Sequence, residues 1–252
     1  MKRLELLWWG SVWFAPLLLP QALYARIRSI RLPEAQPPWH GDAGTHSSEL
    51  RLAVVGDSTA AGVGTGDQRL AVTGQTANAL ASIAGYRVSW RAFGRNGATL
   101  ADLKREFFVP VFEFDPDIVL LSVGVNDTTS FTSRGRWRAD LLDSASAFRD
   151  AGASVVAVSK LPPMHLFSAL PQPLRAFLGL RARLLDQDLQ RLAAEHEAID
   201  YLDVHFEPRP EYLAIDGYHP SAAGCAAWGQ SLAAGLLELL PGLNPGRAAP
   251  GD

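Results

Sequence analysis

The stretch "LAVVGDSTAAGVGTG", residues 52–66, decides the reading of the fold. The uncharged apolar run Leu52–Val55 reads as a short buried strand. It ends in a loop with four glycines, at 56, 62, 64 and 66. A strand that runs into a glycine-rich loop opens a βα unit, and such a junction either cradles a phosphate or presents a nucleophile. Outward from it, strand-like and helix-like stretches alternate. Residues 86–94, 117–124, 153–160 and 199–204 read as further strands, and 71–85, 98–108, 137–152, 173–197 and 221–240 as helices. Apolar strands alternating with helices predict a parallel sheet covered on both faces. The expected class is α/β: a three-layer α/β/α sandwich around a flavodoxin-like, five-stranded parallel sheet, with ligands bound beyond the carboxyl ends of the strands.

That rule selects the loops that matter. The phosphate reading of the first loop is weak. Gly62-Val63-Gly64 is followed by Gly66, one residue too early for the dinucleotide fingerprint, and no lysine is present for a Walker loop. The nucleophile reading fares better. Ser58 follows the first strand by two residues. A serine alkoxide needs a base, and the base needs an orienting acid. "AIDGYHPSAAG", before the last helix, supplies both: Asp216 stands three residues ahead of His219. A carboxylate at that distance in a turn reaches Nδ1 and leaves Nε2 facing out. Donors for a developing oxyanion are offered by the Asn126 amide, past the third strand, and by the Gly97 N–H, past the second. The second glycine of the G-x-S-x-G elbow is missing, since Ala60 follows Thr59.

A serine, a glycine, an asparagine and an Asp-x-x-His at successive strand ends resemble the SGNH, or GDSL-type, hydrolases over about residues 50–240. The resemblance rests on Gly56-Asp57-Ser58, Gly97, Gly124-Val125-Asn126-Asp127 and Asp216-Gly217-Tyr218-His219, in family order. Thr59 stands where the family motif often has leucine. The resemblance implies Ser58 as nucleophile, His219 as base and Asp216 as its orienting acid. It implies an oxyanion hole made of Ser58 N–H, Gly97 N–H and Asn126. It also implies no cofactor and no metal, and a small-molecule ester substrate cleaved through an acyl-enzyme on Ser58. Acyl transfer to an alcohol uses the same groups, and a non-catalytic ligand-binding module is the rival from another class. Asp57 and Asp127 read as structural, capping turns beside the site.

Outside the site the reading is coarser. Net charge is −3 with no long basic run, which excludes nucleic acid as a natural partner. A single cysteine, Cys225, excludes internal disulfides and cysteine-based zinc sites, and reads as packing. His40, His46, His165, His196 and His205 have no metal-ligand spacing. The arginines at 175, 181, 183 and 191 read as a solvated helix face. Arg95 reads as solvated too, with contact to an anionic substrate as its rival. The apolar, proline-broken stretch 161–179 reads either as a substrate wall or lid or as a loop packed on its own core. Residues 1–32 read as a hydrophobic, membrane-associated segment. Its run 6–25 carries no charge, has a bilayer's length as a helix, and is rich in tryptophan. Pro16 and Pro20 would kink a spanning helix, so an in-plane or broken helix is a second arrangement, and an apolar helix packed on the domain's own surface is the rival to membrane contact. Residues 33–49 read as a linker, 50–240 as the hydrolase domain, closed without what precedes it, and 241–252 as a flexible tail.

Overall fold

The structure, a computed structural model, describes residues 2–13 and 15–240; the expected tail, 241–252, lies outside them. Six strands form one sheet: β1 (His40–Ala43), β2 (Glu49–Gly56), β3 (Arg87–Gly94), β4 (Ile118–Ser122), β5 (Val155–Ser159) and β6 (Asp200–Leu202). Their order is β1-β3-β2-β4-β5-β6. The strands β3-β2-β4-β5-β6 run parallel, which is the flavodoxin-like arrangement of five strands expected from the sequence.

The sixth strand, β1, corrects the reading of 33–49 as a linker. It pairs antiparallel with β3, from His40 opposite Arg91 to Ala43 opposite Val88. The residues before it are also fixed. Ala35 is buried, its N–H donates to the Ala61 carbonyl at 3.0 Å, and the Trp39 indole N–H donates back to the Ala35 carbonyl at 2.9 Å. Pro, Gly and polar residues mark turns and sheet edges as readily as tethers, because an edge strand keeps one side in solvent.

Alternate side chains of each strand feed two apolar layers. Ala53, Val55, Val119, Leu121, Val156 and Val158 face α4 (Leu100–Phe114), α6 (Arg134–Asp150) and α7 (Leu174–Glu195). Leu52, Val54, Leu120 and Ala157 face α3 (Val72–Ala84) and α8 (Ala222–Leu239). Strands apolar on both faces are what a doubly covered sheet demands. Gly56, at the end of β2, lies beside Gly94 of β3 and Ser122 of β4. A Cβ on Gly56 would stand 2.6 Å from the Ser122 carbonyl oxygen, so glycine permits the close approach. Three strands thus end at one level, and the loops that follow them converge.

The N-terminal run folds as two helices, α1 (Lys2–Val12) and α2 (Ala15–Arg28), bent by 85°. The break falls ahead of Pro16, which enters the first turn of α2, where its missing N–H has no intrahelical partner to lose. No single helix among the described residues is long and apolar enough to cross a membrane. The pair lies on α7. Trp8 stacks on Phe177 at 4.9 Å, Glu5 pairs with Arg134 at 2.9 Å, and Gln21 accepts the Leu174 N–H at 3.1 Å.

Arg181 departs from the solvated face expected of it. It is buried, donates to the carbonyls of Thr128 and Thr132 at 3.0 and 2.6 Å, and packs over Trp8 and Phe131. It satisfies the carboxyl end of a short helix, α5 (Val125–Thr129), which the sequence reading leaves undivided from its loop.

Candidate active site

Ser58 follows β2 in a tight turn held by Ala61 N–H on the Asp57 carbonyl (3.0 Å) and Val63 N–H on the Ser58 carbonyl (3.0 Å). The side chain is almost buried and opens into a small recess of about 40 Å³. The recess is lined by Ser58 and His219 together with apolar groups that include Pro162, Phe167, Phe206, Tyr218 and Trp228. Among the described residues, neither the Ser58 N–H nor the Gly97 N–H has a protein acceptor.

His219 comes from the turn between β6 and α8. Its Nδ1 lies 2.6 Å from Asp216 Oδ2. The other carboxylate oxygen, Oδ1, accepts the backbone N–H groups of Tyr218 and His219, each at 3.0 Å. Burial alone pushes the Asp216 carboxyl up, but the bonds from His219 and the two backbone N–H groups outweigh it and hold it below the usual range. The turn is pinned at both ends. Ala214 N–H donates to the His219 carbonyl, and Ser221 caps α8 by accepting the Gly224 N–H. Tyr218 stands edge-on between Phe167 (4.9 Å) and His219 (5.1 Å), so the imidazole has a packed wall behind it. Ser58 Oγ and the imidazole share the recess without a direct hydrogen bond.

Asn126 sits in α5, directly after β4. Its turn needs Gly124, whose φ is +110°, and a Cβ there would meet Leu161 at 2.8 Å. The Asn126 side chain donates from Nδ2 to Asp57 Oδ2 at 3.1 Å. Asp57 Oδ1 accepts the Thr59 N–H at 3.2 Å and hydroxyl at 3.3 Å. Gly97, with φ +81°, lies exposed in the turn between β3 and α4. Asp127 accepts the Leu100 N–H at the start of α4 and the Thr132 hydroxyl, a structural use of the side chain.

The structure therefore gathers Ser58, His219 and Asp216 at the strand ends and brings Asn126 against the turn after β2 through Asp57. Gly97 stands at the neighbouring turn, outside the lining of the recess. Arg95 is engaged with Glu106 at 2.7 Å. Of the stretch 161–179, residues from Leu174 on belong to α7, and the part before it has a single 3₁₀ turn at Met164–Leu166. Leu161, Met164 and Phe167 are buried in the core, while Pro162 and Phe167 wall the recess. Cys225 is buried, and burial pushes its thiol up to about 12, which suits packing rather than chemistry.

Fold and strand-end loops define a three-layer α/β/α hydrolase of the SGNH class. A model of the GDSL-like lipase/acylhydrolase family matches residues 54–227, and the chain belongs to that family. It is 30% identical over 198 residues to a GDSL-like esterase of Mycobacterium tuberculosis, a match that covers 76% of this chain and 61% of the mycobacterial protein. Its fold is similar to that of TesA (TM-score 0.61, 22% identity, 75% of this chain and 99% of the other). It is also similar to Axe2, an acetylxylan esterase from Geobacillus stearothermophilus (TM-score 0.53, 19% identity, 79% and 98%).

Proposed function

We propose that the chain is a serine ester hydrolase that works through an acyl-enzyme on Ser58. The observation that carries this reading is the Asp216–His219 pair, fixed by three hydrogen bonds, whose His219 shares one small recess with Ser58. With Asp216 accepting from Nδ1, the imidazole presents a free Nε2 lone pair. Nε2 takes the Ser58 proton as Oγ attacks the ester carbonyl carbon. The carbonyl oxygen becomes an oxyanion, which Ser58 N–H, Gly97 N–H and the Asn126 amide receive. Collapse breaks the carbon–oxygen bond of the ester, and the imidazolium returns the proton to the departing alcohol. Water then attacks the acyl-enzyme, giving its proton to His219, and Ser58 leaves protonated as the acid is released. The size of the recess favours short acyl groups, with Phe167 and Tyr218 as its wall. A fluorophosphonate should label the wild type and not Ser58→Ala; labelling or ester hydrolysis by Ser58→Ala at the wild-type rate would end this reading.

We also propose that α1 and α2 attach the enzyme to a membrane surface. Their inner side is spent on α7, while Leu6, Trp9, Trp13, Leu17, Leu19 and Ile27 face outward, Trp13 at 86% exposure. Arg26, Arg28 and Arg31 close the segment. Exposed apolar surface of this extent with a basic border suits a helix pair lying in the interface of an anionic bilayer. The full chain should float with vesicles containing anionic lipid, and Trp9→Glu/Trp13→Glu should stay behind yet hydrolyse a soluble ester. Failure of the full chain to float would refute the attachment.

A further inference from the structure

Asp57 stands next to Ser58, buried, and the proton transfers above make no use of it. Its two carboxylate oxygens face different partners. Oδ1 accepts the N–H and hydroxyl of Thr59, and Oδ2 accepts from Asn126 Nδ2. The Thr59 hydroxyl in turn lies 2.9 Å from that of Ser122, at the end of β4. One carboxylate thus ties the turn after β2 to the turn after β4, and both turns carry donors assigned to the oxyanion. A carboxamide turns easily about its last torsion and carries two N–H groups.

We propose that Asp57 is a positioning residue: by holding one N–H of Asn126 it fixes the torsion that aims the other at the carbonyl oxygen of the bound ester. The assignment rests on the serine-hydrolase reading above. It requires a group that accepts at both ends. A carboxylate does so, whereas an amide or a protonated carboxyl has a donor at one end and must set it against Thr59 or Asn126.

Protonation therefore releases the brace. Burial pushes the Asp57 carboxyl up to about 6 against the opposing pull of the Thr59 N–H, the His219 ring and the Thr59 hydroxyl, with Asp127 adding to the rise. The titratable groups facing it are His219 and Tyr218 from the β6–α8 turn and Asp127 from α5. Burial also raises the Tyr218 phenol, so that group stays neutral throughout the range of interest. Well above about pH 6 the brace is complete, and at about pH 6 it is half formed. Below it the neutral carboxyl is isosteric with asparagine, so Asp57→Asn imitates the acid form at every pH.

The test is kcat for p-nitrophenyl acetate across this range. Asp57→Asn should lower kcat roughly ten-fold at about pH 8, a fraction of what a lost oxyanion donor costs, with KM changed less than about two-fold. The gap to wild type should close towards pH 5 as wild-type Asp57 takes up its proton. In an Asn126→Ala background the same substitution should cost little more, because no amide remains to be aimed. A wild-type to variant ratio that does not change with pH, or a full additive loss on top of Asn126→Ala, would overturn the proposal. If Asp57→Asn does not fold, Asn126→Ala carries the test alone. The wild-type to Asn126→Ala ratio of kcat falls on acidification if the brace operates, and a constant ratio overturns it. Fluorophosphonate labelling of the same samples keeps the two ideas apart. A labelled enzyme with a constant ratio sinks the brace only, and an unlabelled wild type sinks the serine mechanism itself.

Discussion

Asp216→Asn tests the dyad most directly, because the geometry dictates how the replacement must sit. Asp216 Oδ1 receives two backbone N–H groups at 3.0 Å, and Oδ2 faces His219 Nδ1 at 2.6 Å. The carboxylate is 2% exposed, so no water is free to replace a lost partner. An asparagine keeps its single oxygen on the two backbone donors, since turning it round would orphan both. Its NH₂ then meets Nδ1, which must accept, and the ring proton moves to Nε2. In that tautomer the imidazole has no lone pair for the Ser58 proton. The expected loss in kcat is roughly 10³–10⁴-fold, about 4–5.5 kcal/mol in the barrier. The fold should lose much less, at most about 2 kcal/mol, because one charge-assisted bond is exchanged for a neutral one. The wild-type carboxyl is held below its ordinary value of 3.8, so its contribution to stability is complete above that pH and is lost as pH falls through the native value. The variant should therefore melt earlier at neutral pH and approach wild type in strong acid. Steady-state ester hydrolysis, the rate of fluorophosphonate labelling and thermal melts give the three quantities. A well-folded Asp216→Asn with kcat within ten-fold of wild type would refute the orienting role.

Gly124→Ala forces a φ of +110° on alanine and drives its Cβ to 2.8 Å from Leu161, so melts should show a loss of about 1–3 kcal/mol, with kcat falling as Asn126 shifts. Phe167→Ala removes a wall of the recess; the ratio of kcat/KM for hexanoate over acetate esters should rise, and an unchanged ratio would remove Phe167 from the acyl pocket. A chain begun at residue 45 loses β1 and the Ala35 and Trp39 contacts and uncovers the β3 edge, so it should melt lower or aggregate, whereas one begun at residue 30 keeps them. Asp57→Asn should be more stable than wild type at about pH 8. The native carboxyl titrates near 6 and the unfolded one near 3.8, so ionising it costs the fold up to about 3 kcal/mol at high pH and nothing below the lower value; equal melting temperatures at both extremes would contradict this.

The sheet was legible because its central strands are apolar on both faces, as with Ile118–Leu121 and Val155–Val158, and the pattern has few other uses. The candidate site could be picked out because each of its groups lies at a strand or helix end: Ser58 after β2, Gly97 after β3, Asn126 after β4, and His219 before the last helix. What escaped depends on partners distant in the chain. The edge strand β1 is held by β3, some fifty residues on, and nothing in "HGDA" announces that ladder. Arg181 shares a helix with solvated arginines, and only the carbonyls of Thr128 and Thr132 make it a buried cap. Asp57 shows the same limit at the centre of the site. Next to Ser58 an aspartate reads as a turn-former, and the Thr59 half of its bonding is local enough to support that reading. The half that reaches Asn126 spans 69 residues and exists only because β2 and β4 end side by side. A turn needs only one accepting oxygen. A buried carboxylate that accepts at both ends, at a net cost to the fold above about pH 6, satisfies more than a turn requires, and the second oxygen is spent on Asn126, the residue proposed to face the oxyanion.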